Sequence, residues 1–418
     1  MAGTIRVPGD KSISHRAVLL GSLSRGVCRV RNFAGSQDCL HTVGCMRDLG
    51  VDIEEFGDTT LEIAGVGLRG LDEPQNVLDV GNSGTTARLL AGLLAGQSFH
   101  SVITGDDSLR RRPMMRVVGP LREMGAHISG PENGRFAPLT IVGGDVRPIS
   151  YSLPLASAQV KSAILIAGLY AIGETEIREP TATRDHTERM LRLMGKKVNT
   201  TDGRIKMSGG GELFPFDVEI PGDISSAAFL VTATLLCPDS HLTVRDVGTN
   251  PTRTGVVQVL TEMGAKVSIV NQRIDDSEPV ADLHAETSTL RGIDIGGEMI
   301  PRVIDELPII AVAATQARGR TRVSGAEELR RKETDRIRAT VQELSTLGAK
   351  IEEHRDGFTI HGPTPLRGAR CRSHGDHRIA MALAVAGLIA EDETHIEGTD
   401  CVDVSFPGFF QTLERVCR

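Results

Sequence analysis

Five near-identical junctions recur along the chain: Met46-Arg47-Asp48-Leu49-Gly50-Val51, Leu121-Arg122-Glu123-Met124-Gly125-Ala126, Leu191-Arg192-Leu193-Met194-Gly195-Lys196, Leu260-Thr261-Glu262-Met263-Gly264-Ala265 and Leu344-Ser345-Thr346-Leu347-Gly348-Ala349. Each reads as the last turn of a helix, a glycine C-cap and the start of a strand. The glycines are 75, 70, 69 and 84 residues apart. In phase with them, alanine- and leucine-rich helices are predicted to begin near Ser14, Gly84, Ala158, Ser225, Asp305 and His377. A period of this length means copies of one supersecondary unit. Six units of about 70 residues fill the 418-residue chain.

The two helices of each unit differ in kind. Ala158 to Ala171, Ala227 to Cys237 and Ile379 to Ala390 are apolar almost all round, which predicts burial on every side. His186 to Met194 and Asp335 to Leu347 carry one apolar stripe and a charged face, so they should lie outside. Strands are expected at Thr175-Glu176-Ile177-Arg178, His241-Leu242-Thr243-Val244-Arg245, Thr321-Arg322-Val323 and Thr394-His395-Ile396. The turn Ile220-Pro221-Gly222-Asp223 divides three units from three.

Charge is informative because it is local. The net charge is −7, there is no Trp and there are two Tyr, which argues against a nucleic-acid surface. Yet Arg110-Arg111-Arg112, Arg184 and Arg330-Arg331-Lys332 occupy corresponding loops of separate repeats. Polar helix starts accompany them: Lys11-Ser12, Asn82-Ser83-Gly84-Thr85, Ser157-Ala158-Gln159, Asp223-Ile224-Ser225-Ser226, Asp305-Glu306 and Asp376-His377-Arg378. Helix N-termini and focused cations both favour anions, so small polyanionic substrates are expected. At the first helix, Ser12 or Ser14 is the expected cap. Asp305 and Glu333 sit in the positive field as candidate proton carriers or simple caps, and Glu298 and Asp335 fit the spacing equally well. Seven cysteines without a Cys-x-x-Cys pair suggest reduced thiols and no zinc site. No apolar run reaches the roughly 18 residues of a membrane span and no signal-peptide core is seen, so a cytoplasmic location is expected.

Five motifs in order resemble the 5-enolpyruvylshikimate-3-phosphate synthases, of the enolpyruvyl transferase family. They are Pro8-Gly9-Asp10-Lys11-Ser12-Ile13-Ser14-His15-Arg16, Gly81-Asn82-Ser83-Gly84-Thr85-Thr86, Gly105-Asp106-Asp107-Ser108-Leu109-Arg110-Arg111-Arg112-Pro113-Met114, Leu329-Arg330-Arg331-Lys332-Glu333-Thr334-Asp335-Arg336 and Asp376-His377-Arg378-Ile379-Ala380-Met381. The resemblance implies a two-domain inside-out α/β barrel of six βαβαββ-type repeats, with three buried parallel helices per domain. The domains would be 12–221 and 1–11 plus 222–418. It implies transfer of the carboxyvinyl group of phosphoenolpyruvate to the 5-hydroxyl of shikimate 3-phosphate, in aromatic amino-acid biosynthesis, by a monomer needing no cofactor or metal. Closure of the domains around the substrates is also implied.

By position, Lys11, Ser12, Arg16, Ser157, Gln159, Arg184, Asp305 and Lys332 resemble shikimate 3-phosphate contacts. Lys11, Gly84, Arg112, Gln159, Arg336 and Arg378 resemble phosphoenolpyruvate contacts. Glu333 is the expected carrier of the C3 proton and Asp305 of the hydroxyl proton, with Lys11 assisting at the phosphate. Two features depart from many members: Val404 stands where a lysine is usual, and Ser157-Ala158-Gln159 replaces two serines before the glutamine. Both resemble the subclass described as tolerant of glyphosate. Rival readings are the sister enzyme acting on UDP-N-acetylglucosamine, which usually has a cysteine near Asp107, and a non-enzymatic six-repeat polyanion binder.

Overall fold

The repeat glycines earn their place in the backbone. In the computed structural model, which describes residues 1–417, Gly50, Gly125, Gly195, Gly264 and Gly348 have φ of +85°, +110°, +87°, +93° and +91°. Each is the left-handed residue that ends an outer helix, a conformation that side-chain-bearing residues adopt only at a cost.

The chain divides into two compact units, one of Gly9–Ile220 with Asp276–Glu278, the other of Met1–Pro8, Pro221–Asp275 and the chain from Pro279 onward. The first division falls between Pro8 and Gly9 rather than after Lys11. Asp10 explains this: its Oδ1 accepts from Ile13 N at 3.0 Å, so it caps the helix Lys11–Ser22 and stays with it. The cap is therefore Asp10, not Ser12 or Ser14. Ser14 Oγ instead accepts from Ala34 N at 3.1 Å.

The unit centred on Gly9–Ile220 has three four-stranded sheets. In two of them a parallel pair flanks a buried helix along the chain, and in all three an antiparallel hairpin completes the sheet. In the first, the parallel partner of Arg25–Arg31 is Asp217–Glu219, from the far end of the segment. The buried helices are Lys11–Ser22, Gly84–Ala95 and Ala158–Gly168. The last two touch closely, because a Cβ on Gly92 would meet Ala163 O at 2.4 Å.

The other unit repeats the plan with Ile224–Leu236, Leu307–Gln316 and His377–Leu388 inside. Every residue of Ile224–Leu236 except Leu236 is buried, as a helix with no charged face requires. The first strand of its first sheet is Ala2–Ile5, parallel to His241–Gly248. Each unit thus takes one strand from a sequence end distant from the sheet it completes. The sixth repeat departs from βαβαββ. Its sheet has only Arg370–Arg372 and His395–Glu397, after which the chain enters the 3-10 segment Thr399–Val404 and the helix Phe409–Cys417 in place of a hairpin. Phe406 and Phe229 both pack edge-on against Phe409, which seats that helix on Ile224–Leu236. Among the described residues no helix is long and apolar enough to cross a membrane.

Candidate active site

Within each unit, side-chain bonds tie together the N-terminal turns of the three buried helices. In the unit of Gly9–Ile220, Lys11 opens the first helix and its Nζ pairs with Asp38 Oδ2 at 2.8 Å. Ser83 caps the second helix by accepting from Thr86 N at 3.1 Å, which makes Gly84 its first residue. Ser157 caps the third through Val160 N at 3.4 Å. Gln159 bridges the second and third: its Nε2 donates to Thr85 Oγ1 at 2.9 Å and its Oε1 accepts from Arg88 Nη1 at 3.0 Å. Arg184 Nη1 reaches Ser12 Oγ at 3.4 Å.

Arg16 is 2% exposed, and its partners are neutral. Nε donates to Thr187 Oγ1 at 2.7 Å, Nη1 to Ser12 O at 2.8 Å and Nη2 to Ser162 Oγ at 2.8 Å. Burial lowers its pKa to about 10, an effect the Glu188 charge offsets only in part. A buried guanidinium held by neutral acceptors gains from a ligand dianion. Of the run Arg110-Arg111-Arg112 only Arg112 is buried, held by Asn82 Oδ1 at 2.5 Å and Ser108 Oγ at 3.1 Å.

In the other unit Asp223 caps Ile224–Leu236, accepting from Ser225 N at 2.8 Å, and also takes Arg253 Nη2 at 2.9 Å. Ser225 donates to Glu306. Arg378 Nη1 donates to Asp305 O at 2.9 Å and lies 3.8 Å from Glu306 Oε1. Arg336 joins three carboxylates: Asp376 Oδ2 at 2.7 Å, Glu333 Oε2 at 2.5 Å and Asp305 Oδ1 at 3.3 Å. Lys332 Nζ also meets Asp305 Oδ1, at 3.2 Å. Burial alone would lower the Arg336 pKa, but these carboxylates override it and raise it above the ordinary value.

The four carboxylates that spacing left equivalent now separate. Asp335 is a cap, accepting from Arg338 N at 3.0 Å and pairing with Arg330 at 2.7 Å. Glu298 is exposed in a 3-10 turn. Asp305 and Glu333 share Arg336. Lys11, Ser12, Arg16, Gly84, Arg112, Ser157, Gln159 and Arg184 fall in one unit, and Asp305, Lys332, Glu333, Arg336 and Arg378 in the other. Sequence reasoning missed Arg88 and Arg253, lone cations with no charged neighbours in sequence to flag them, and left the capping residue Asp376 without a role.

Comparison with known proteins adds independent weight. Residues 1–413 match the model of the family described as EPSP synthase (3-phosphoshikimate 1-carboxyvinyltransferase). A 3-phosphoshikimate 1-carboxyvinyltransferase of Desulforudis audaxviator is 55% identical, covering 99% of this chain and 96% of that one. One from Geobacillus kaustophilus is 54% identical, covering 99% and 97%. The EPSP synthase structure of Acinetobacter baumannii superposes with a TM-score of 0.89 at 44% identity, covering 99% of this chain and 95% of that one. The enolpyruvyl transferase NikO of Streptomyces tendae shares the fold, with a TM-score of 0.80 at 16% identity over 99% and 94% of the two chains. With a family model matched from end to end and relatives above half identity, this chain belongs to the EPSP synthase (3-phosphoshikimate 1-carboxyvinyltransferase) family.

Proposed function

We propose that the two clusters perform the family's reaction: the 5-hydroxyl oxygen of shikimate 3-phosphate attacks C2 of phosphoenolpyruvate, and phosphate leaves. The enol ether is a poor electrophile until C3 is protonated, so an acid and a base are both needed. Glu333 delivers the C3 proton and takes one back when the tetrahedral intermediate collapses. Asp305 takes the hydroxyl proton, with Lys332 and Arg336 beside it. Lys11 neutralises the departing phosphate.

Lys11, Ser12, Arg16, Ser157, Gln159 and Arg184, with Asp305 and Lys332, bind shikimate 3-phosphate. Lys11, Gly84, Arg112, Gln159, Arg336 and Arg378 bind phosphoenolpyruvate. Two polyanions repel one another, and this density of guanidinium and ammonium groups is what lets both bind. The family's inside-out arrangement, sheets and outer helices around buried ones, fits the three buried helices of each unit.

The observation that carries the reading is the shared hold of Arg336 on Asp305 and Glu333, which sets two proton carriers against one buried cation. The family match disfavours the UDP-N-acetylglucosamine enzyme. The test is phosphate release from phosphoenolpyruvate with shikimate 3-phosphate against UDP-N-acetylglucosamine. Release with the sugar nucleotide alone would overturn it.

A further inference from the structure

Lys161 is the one lysine on the buried helix Ala158–Gly168, and it is 1% exposed. Its ammonium has three donors, and three acceptors surround it: Glu188 Oε1 at 2.7 Å, Glu179 Oε2 at 3.1 Å and Thr183 O at 3.4 Å. The two carboxylates are themselves 2% and 5% exposed. Thr183 closes the ring by donating its hydroxyl to Glu179. Burying three charges is costly, and an apolar residue at this helical position would pack without that cost. Stability alone is therefore a poor account of the cluster.

Its surroundings supply a better one. Thr183, whose carbonyl Lys161 holds, is followed directly by Arg184, which reaches Ser12. Glu188 follows Thr187, which accepts from Arg16 Nε and shares a 2.7 Å hydrogen bond with Ser162. Counting charges, Lys161 with Glu179 and Glu188 carries a net −1. Glu188 is the strongest opposing charge felt by Arg16, whose direct partners are neutral. One ammonium thus pins the loop that carries Arg184 and the carboxylate that balances Arg16.

We propose that Lys161, clamped by Glu179 and Glu188, is a positioning residue for the anion site formed by Ser12, Arg16 and Arg184, and so sets affinity for shikimate 3-phosphate. This rests on the proposed assignment of those three residues. Gln159 lies two residues earlier but is held from the neighbouring helix by Thr85 and Arg88, so phosphoenolpyruvate binding should not depend on the clamp.

The test removes all three charges while keeping shape, with Lys161→Met, Glu179→Gln and Glu188→Gln combined, which leaves none of the three clamp ions without its partner. With native circular dichroism, the KM for shikimate 3-phosphate should rise about tenfold while that for phosphoenolpyruvate stays within about twofold. An unchanged KM for shikimate 3-phosphate, or an equal rise in both, would overturn the proposal. If the triple variant does not fold, Glu179→Gln alone keeps the Lys161–Glu188 pair. It should still raise the shikimate 3-phosphate KM several-fold, and no rise would count against the clamp. Calorimetry on the wild type separates the two levels. A wild type that takes up no shikimate 3-phosphate overturns the functional reading and the clamp with it, whereas equal uptake by wild type and variant overturns the clamp alone.

Discussion

Arg336 Nη2 lies 2.5 Å from Glu333 Oε2, three residues away at the mouth of one outer helix. The same guanidinium reaches Asp305 Oδ1 at 3.3 Å. The carboxylates proposed as general acid and general base therefore share one buried cation, and in those roles each would exchange protons beside it. Glu333→Gln and Asp305→Asn preserve shape and remove that exchange. Each should keep shikimate 3-phosphate binding, measured by calorimetry, while kcat falls at least roughly 10²-fold. Near wild-type kcat in either variant removes that residue from its role.

Asp376 should matter more to stability than its place in a loop motif suggests. It is 0% exposed, caps His377–Leu388 through Arg378 N at 2.9 Å and is the nearest fully buried counter-ion of Arg336. Removing one partner of a buried pair costs about 3–5 kcal/mol where the other charge is left alone, and less where, as here, Glu333 and Asp305 remain beside Arg336. Asp376→Ala should lower the urea midpoint accordingly. A midpoint within error of wild type would mean that Glu333 and Asp305 alone satisfy Arg336.

His15 makes stability depend on pH. Burial, then the charges of Lys11 and Arg16, hold its pKa well below the ordinary 6.5, and Nδ1 lies 2.7 Å from Thr42 Oγ1. The unfolded chain titrates this imidazole near its ordinary value, so between the two pKa values only the unfolded chain binds the proton. The contribution of His15 to stability is therefore complete above the unfolded pKa and declines as pH falls below it. The wild-type melting temperature should drop further between about pH 7.5 and about pH 5.5 than that of His15→Asn, which keeps an acceptor or donor for Thr42. Parallel curves would place the acid sensitivity elsewhere.

How much of this the sequence displayed depends on whether a residue type was forced locally. Gly50 and its four counterparts were visible because a positive φ restricts the choice of residue, and the helix at Ile224–Leu236 because burial on all sides leaves no polar stripe. Lys161 and Arg88 passed unnoticed inside apolar helices. The carboxylates of Lys161 lie 18 and 27 residues away on other elements, a separation no local pattern reports. The expected caps, Ser12 and Ser14, have the same capping propensity as Asp10, and the bond from Ile13 N to Asp10 Oδ1 shows that the helix starts before either serine. Asp305 and Glu333 were distinguished from Glu298 and Asp335 by resemblance first, and by Arg336 once the fold was in hand.

Glyphosate tests the space beside Gly84. A Cβ built there would lie 2.6 Å from Arg88 Nη1 and 3.2 Å from Arg112 Nη1. Both are ends of flexible side chains, so alanine can be accommodated if the guanidinium of Arg88 gives way, partly releasing Gln159. Glyphosate is longer than phosphoenolpyruvate, and a methyl group here should obstruct the inhibitor more than the substrate. Against sensitivity stand Ala158 and Val404, the two departures that resemble the tolerant subclass, yet neither removes the open space that glycine leaves at position 84. The wild type should therefore be inhibited competitively with phosphoenolpyruvate, and Gly84→Ala should raise the inhibition constant at least about tenfold with a smaller rise in substrate KM. A wild type that stays uninhibited at concentrations far above its phosphoenolpyruvate KM would show that the helix start at Gly84 is not what admits the inhibitor.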